Sequence, residues 1–419
     1  MNPAALPDPP FAALGLSPAL VRAAAERGYA EPTAIQAATI PLALQGRDVI
    51  GCAHTGSGKT AAFGLPLLHQ LDRWRPAWRR TYALVLVPTR ELAAQVGETI
   101  RALSRHLADP VKVAVVFGGV SVNPQMLGLR GGAEVIVATP GRLLDLVERN
   151  AVKLDDVALL VLDEADRLLD EGFADELARL TALLPRRRQG LFFSATFPPA
   201  VQELAQTLLN DPVRVDAPAT PAAGLPAIEQ HAVEVDAAQR TQLLRHLIEQ
   251  GGWQRVLVFV ATRYASEHVA DKLRRAGLAA AAFHGDLSQG ARTRVLGELR
   301  SGALRVVLAT DMAARGLHIA DLPVVVNYDL PRSAVDYTHR IGRTARAGAA
   351  GLAVSFVSAS TEAHFRLIEK RQGQRVPRER VAGFEPRDTV APVSPPEGGV
   401  KGRRKSKKDK LREAAARGG

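Results

Sequence analysis

Cysteine is nearly missing from these 419 residues: Cys52 stands alone. One thiol excludes an internal disulfide framework and any site built from several cysteine ligands, and the cytoplasm is the expected location. Long apolar runs are missing too. The longest are strand-sized, such as Ala83-Leu84-Val85-Leu86-Val87, against the ~18–20 residues of a membrane-spanning helix. No membrane partner is expected. The stretch from Met1 to Pro10 has no basic region leading into an apolar core, so no secretory leader is expected. His284 and His339 stand without metal-ligating neighbours in sequence, and no zinc site is expected.

What is present suits soluble globular domains. Apolar residues make up 47% and mean hydropathy is −0.02, and the length calls for two or three domains. The net charge of +11 is uneven. Between Lys401 and Arg417 nine basic residues face only Asp409 and Glu413, so this short stretch carries +7. It reads as a solvated arm suited to polyanions.

Two βαβ-rich segments are separated by a Pro/Ala-rich break. In the first, strand-like apolar runs fall at 48–52, 83–87, 113–117, 135–138, 159–162 and 190–193, with helical stretches such as 91–107 and 141–149 between them. In the second they fall at 232–235, 255–260, 279–283, 305–309, 324–327 and 351–356. Apolar strands alternating with helices predict parallel sheets covered on both faces. The expected division is a first lobe over 1–215, a linker over 216–228, a second lobe over 229–375 and a disordered basic tail over 376–419. The halves are alike in architecture, not in sequence.

Three motifs carry chemistry. Ala53-His54-Thr55-Gly56-Ser57-Gly58-Lys59-Thr60 follows a strand and opens a helix. Small residues there let backbone N–H groups wrap phosphates, Lys59 supplies charge, and the Thr60 hydroxyl can ligate Mg²⁺. The buried-strand run 157–162 ends in Asp163-Glu164-Ala165-Asp166. Asp163 is placed to hold Mg²⁺, and Glu164 to orient or deprotonate an attacking water. Roughly 280 residues beyond the phosphate loop, His339-Arg340-Ile341-Gly342-Arg343-Thr344-Ala345-Arg346 offers two arginines three apart. Arg343 and Arg346 look like fingers that stabilise charge in a site built by the other lobe.

The ordered set 53–60, 163–166, Ser194-Ala195-Thr196 and 339–346 resembles the DEAD-box RNA helicases of bacterial type, from about Phe11 to about Phe356. The resemblance implies two tandem RecA-like lobes closing on ATP, Mg²⁺ and RNA, single-stranded or short duplex. It implies a nucleotide site of Thr55, Gly56, Ser57, Gly58, Lys59, Thr60 and Gly316. Adenine would be read by Gln36, within Gly28-Tyr29-Ala30-Glu31-Pro32-Thr33-Ala34-Ile35-Gln36, with Phe11 stacked on the base.

Arg90, Gly119, Thr139, Gly141 and Arg142, all near predicted strand ends, and Arg292 and Thr310 of the second lobe, match RNA-facing positions. Ser194, Thr196 and His339 match positions that couple hydrolysis to unwinding. Two departures stand out: His318 replaces the usual Asp in Arg315-Gly316-Leu317-His318-Ile319, and Ala345 replaces a common Gly. The expected activity is RNA-stimulated ATP hydrolysis by a monomer that separates short duplexes. An ATP-dependent RNA clamp, or a DNA-translocating motor, remains an alternative. Cys52 reads as a small strand residue, and Arg73-Trp74-Arg75-Pro76-Ala77-Trp78-Arg79-Arg80 as a basic surface loop with half-buried tryptophans, with stacking on RNA as the alternative.

Overall fold

A computed structural model of the chain describes residues 11–53, 56–73, 79–170, 172–216, 228–314, 322–344 and 351–387. Two seven-stranded sheets organise it. The first contains β1 (Val49–Cys52), β2 (Ala83–Leu86), β3 (Val113–Val116), β4 (Val135–Ala138), β5 (Leu159–Leu162), β6 (Gln189–Ser194) and β7 (Val213–Asp216). The second contains β8 (Ile228–Glu234), β9 (Val256–Phe259), β10 (Ala280–Phe283), β11 (Val306–Ala309), β12 (Val324–Asn327), β13 (Gly351–Val357) and β14 (Arg378–Glu379).

The strand order is β3-β4-β2-β5-β6-β1-β7 in one sheet and β10-β11-β9-β12-β13-β8-β14 in the other. Counted from the start of each lobe the two orders are identical. The strands pair in parallel, as in Val85 opposite Val137 and Val258 opposite Val326. The architecture is therefore a duplicated α/β lobe.

The apolar strands follow from burial on both faces. Ala83 and Val85 enter one apolar cluster, while Leu84 and Leu86 enter another on the opposite face. The same alternation splits Val256 and Val258 from Leu257 and Phe259. Among the described residues, none of the five apolar clusters contains side chains from both lobes.

Two strands have no counterpart in the sequence reading. β7 and β14 are edge strands rich in charge (Val213-Arg214-Val215-Asp216 and Arg378-Glu379). Order also continues past 375, where the tail was expected to begin. Val376 is buried, β14 pairs with β8, Phe384 packs against His246, and the Arg387 N–H donates to Asp236 at 2.7 Å. The remaining tail and most of the linker lie outside the described residues.

Candidate nucleotide site and lobe seam

Strand order sorts the chemistry. β5, β6 and β1 are neighbours, so the loops leaving their C-terminal ends bring together 163–166, 194–196 and the phosphate loop. β2, β4 and β3 are also neighbours, which gathers the loops bearing Arg90, Gly119, Thr139, Gly141 and Arg142. C-terminal strand edges are where open α/β sheets hold ligands.

A cavity of ≈ 550 Å³ is lined by Tyr29, Thr33, Gln36, Gly56, Gly58, Lys59, Thr60, Asp163 and Glu164, among others. Lys59 is only 6% exposed and its Nζ donates to the Ala53 carbonyl at 3.0 Å. The Ser57 hydroxyl is buried with no partner among the described residues. Buried donors without acceptors are costly, and an anion would satisfy them. A larger cavity of ≈ 1050 Å³, lined by Arg130, Leu127 and Lys153 among others, lies near the N-terminal ends of the strands, away from this cluster.

Gln36, the expected adenine reader, lines this cavity and is also bonded within the protein. Its Oε1 accepts the Thr33 N–H at 2.9 Å, and its Nε2 donates to the Gly58 carbonyl at 3.1 Å. Thr33 Oγ1 in turn donates to the Ser57 carbonyl at 2.8 Å. The amide thus clamps the phosphate loop to a capping box at the start of helix Ala34–Leu44. Gly58 has φ 93, a backbone that L side chains rarely adopt, and a Cβ there would also displace the Gln36 amide. Phe11, expected on the base, differs: it is 2% exposed, packed in the core with its centroid 6.5 Å from Tyr29. Tyr29, not Phe11, forms the cavity wall.

Asp163 and Glu164 are 3% and 5% exposed, yet their proton affinities diverge. Burial pushes Asp163 up to about 6, against the pull of Lys59. Burial pushes Glu164 upward as well, but Arg167, Lys59 and Arg343 outweigh it and hold the carboxyl below its ordinary range. Two carboxyls separated in this way suit different roles, a cation holder and a base. Glu164 has φ 54, a left-handed backbone uncommon for a non-glycine residue, which re-aims the chain between β5 and helix Ala165–Asp170.

Asp166 binds the expected coupling segment. Its Oδ2 accepts from the Thr196 N–H at 3.0 Å and the Thr196 hydroxyl at 2.7 Å. The Ser194 hydroxyl accepts the Asp166 N–H at 3.2 Å and donates to the Thr196 carbonyl at 2.7 Å. Two loops of the first lobe are thereby locked as one unit.

Arg167 is the residue the sequence reading passed over. Its Nη1 donates to Glu164 Oε2 at 3.1 Å and its Nη2 to His339 Nδ1, in the second lobe, at 2.6 Å. Burial first, and Arg167 second, lower His339 to about 4, so its ring is neutral with Nδ1 accepting. Arg343 is 3% exposed and lies close enough to act electrostatically on Glu164. Arg340 is a brace: it holds Asp311 by two contacts of 2.6 and 2.7 Å and lies over Phe259.

On the other half of the edge, Thr89 caps helix Arg90–Leu103 by accepting the Leu92 N–H at 3.3 Å. The Arg90 guanidinium lies where a Cβ on Gly119 (φ 75) would be. Thr139 and Gly141 open helix Pro140–Glu148. Arg142 Nη2 donates to the Val120 carbonyl at 2.7 Å, while its buried Nη1 has no partner among the described residues. In the second lobe Thr310 is half-buried after β11.

Arg292 departs from its expected RNA-facing position. It is 3% exposed, pairs with Glu91 of the first lobe at 2.7 Å, donates to the His284 carbonyl at 3.1 Å, and lies over Phe283. Every nitrogen is engaged within the protein, so it acts as a tie between lobes. Thr55, Gly316, His318, Ala345, Arg346, Trp74 and Trp78 lie outside the described residues.

Residues 33–204 match the DEAD/DEAH box helicase model and residues 239–348 match the helicase conserved C-terminal domain. The chain is 43% identical over 364 residues to a Mycobacterium tuberculosis protein named ATP-dependent RNA helicase DeaD, covering 87% of this chain and 63% of that one. It is 38% identical over 368 residues to a Bacillus cereus protein named DEAD-box ATP-dependent RNA helicase CshA, covering 88% and 69%. The chain thus spans less than two thirds of the mycobacterial relative. Among solved structures, S. cerevisiae Dbp5 bound to RNA and ADP BeF3 is similar with a TM-score of 0.77 at 32% identity, covering 89% of this chain and 95% of that one. Two RecA-like lobes of one topology, the matched domains and these relatives agree: the chain belongs to the DEAD-box helicase family.

Proposed function

We propose that this protein is an RNA-stimulated ATP hydrolase, acting as a cytoplasmic monomer, that closes its lobes on ATP and single-stranded RNA and locally opens short duplexes. The observation that carries the proposal is the Glu164–Arg167–His339 chain, which joins the carboxylate suited to hydrolysis to the opposite lobe. Moving the second lobe changes what surrounds Glu164. Hydrolysis is then tied to closure.

Nucleotide phosphates would meet Lys59, Ser57 Oγ and the backbone of the phosphate loop. The donor set of Thr60 hydroxyl and Asp163 carboxylate is all oxygen and fits Mg²⁺, which commonly takes one or two carboxylates plus substrate phosphates. When bound, that cation would neutralise charge on the phosphates. Glu164, held ionised, is the base that takes a proton from water, and Arg343 is placed to stabilise charge developing on the transferred phosphoryl group. Arg346 would contribute similarly. Thr196 and Ser194, bonded to Asp166, would relay the state of the cleft. On the other half of the edge, Arg90, Gly119, Thr139, Arg142 and Thr310 would hold the RNA backbone without reading its sequence.

That the similar Dbp5 structure holds RNA and ADP BeF3 supports this reading. The test is steady-state ATP hydrolysis without nucleic acid, with single-stranded RNA and with single-stranded DNA, in wild type and Arg343→Ala. RNA-specific stimulation lost in the variant is expected. Activity indifferent to RNA would refute the proposal.

A further inference from the structure

Duplicated topology makes the second strand of each lobe a reference point. After β2 the chain reads Thr89-Arg90-Glu91, and after β9 it reads Thr262-Arg263-Tyr264. Both threonines cap the helix that follows: Thr262 Oγ1 accepts the Ala265 N–H at 3.0 Å, as Thr89 does for Leu92. Position for position, the second lobe therefore presents Tyr264 where the first presents Glu91.

Tyr264 is 74% exposed. Its ring is stacked on His268, one turn along helix Arg263–Arg275, with centroids 5.4 Å apart and planes 12° from parallel. The imidazole lies parallel to the phenol ring and offset from it, and most of the tyrosine meets solvent. The adjacent flank of the same helix is fixed to the loop after β10, through an ion pair between Arg263 and Asp286 and a 2.8 Å contact between Glu267 and His284. That loop also accepts Arg292, which crosses to Glu91. The rings thus sit on the helix that leaves the C-terminal end of β9, the sheet edge that also carries Thr310 after β11.

We infer that Tyr264, backed by His268, is a stacking platform for one base of single-stranded RNA along this edge. The inference rests on the RNA reading above. A flat, exposed, pre-stacked ring offers a surface that every base can use, and its support by His268 limits the rotamer freedom lost on binding. Of the nearby carboxylates that would repel RNA, Asp286 is paired with the Arg263 guanidinium and Glu267 is hydrogen-bonded to His284.

The test is binding of a single-stranded RNA with a non-hydrolysable ATP analogue, using wild type, Tyr264→Ala and Tyr264→Trp, with 2-aminopurine scanned along the RNA. Alanine is expected to weaken binding roughly tenfold, tryptophan to restore it, and one 2-aminopurine position to be quenched in wild type but not in the alanine variant. Equal affinity and equal quenching in Tyr264→Ala would overturn the platform, as expected of a surface that instead docks protein; a loss that tryptophan fails to restore would overturn it as well. Wild type that binds no RNA would refute the underlying function itself.

Discussion

Arg292 of the second lobe meets Glu91 of the first through both Nε and Nη2, each 2.7 Å from the same carboxylate oxygen, with side chains only 4% and 10% exposed. Breaking such a buried pair from one side costs about 3–5 kcal/mol, because the survivor is left without a counter-charge. Glu91→Ala should therefore shift the protein toward separated lobes, read as a longer inter-lobe distance between two fluorophores. The double variant Glu91→Ala/Arg292→Ala should lose less than the sum of the singles. Additive losses would mean the pair does not act as a unit.

Glu164→Gln keeps shape and removes the base. Turnover should fall at least ~100-fold, the lower range of general-base contributions, while equilibrium ATP binding changes little. Near-normal turnover would remove Glu164 from the chemistry.

His339 gives a pH dependence with a defined sign. Its folded value of about 4 lies below the ordinary 6.5, so between these limits the unfolded chain takes up a proton that the folded one refuses. Stability from this group is present above about pH 6.5 and is lost as pH falls toward 4. Denaturation at pH 7 and pH 5 should differ by about 2 kcal/mol more in wild type than in His339→Gln. An identical pH profile in the two proteins would count against a buried neutral ring.

Asp163 behaves oppositely. With its folded value raised to about 6, the protonated form is favoured below that pH, and ionising it above costs stability unless a cation is present. Magnesium-dependent nucleotide affinity should therefore weaken as pH drops through about 6. Asp163→Asn should remove the magnesium dependence; persistence of that dependence would place the cation elsewhere.

Gln36→Ala removes the clamp between the capping box and the phosphate loop. We expect apparent ATP affinity to fall roughly tenfold, equivalent to about 1.4 kcal/mol for the lost contacts, for ATP and GTP alike. Loss confined to ATP would instead indicate direct reading of adenine.

The partners of Gln36, Arg292 and Arg167 show what a sequence can and cannot specify. Strands such as β2 and β5 were legible because double-sided burial forces four consecutive apolar residues. β7 and β14 were not: each carries charges, and its pattern resembles a loop. The carboxylates 163–166 and the phosphate loop were legible as types at fixed spacing. Which partner a long side chain reaches was not. Arg292 matched an RNA-facing position yet spans the lobe seam, because Glu91, 201 residues away, is visible only once both sheets exist. Arg167, three residues after Glu164, reads as an ordinary helix-surface neighbour until His339 arrives from the other lobe.

The confinement of every described apolar cluster to one lobe has a mechanical corollary. Among the described residues the lobes meet at Arg292–Glu91 and Glu164–Arg167–His339, contacts that bury charge partners instead of extending an oily core. Burying such polar surface changes the heat capacity in the sense opposite to burying an apolar core. The seam is a latch that releases without unravelling either half.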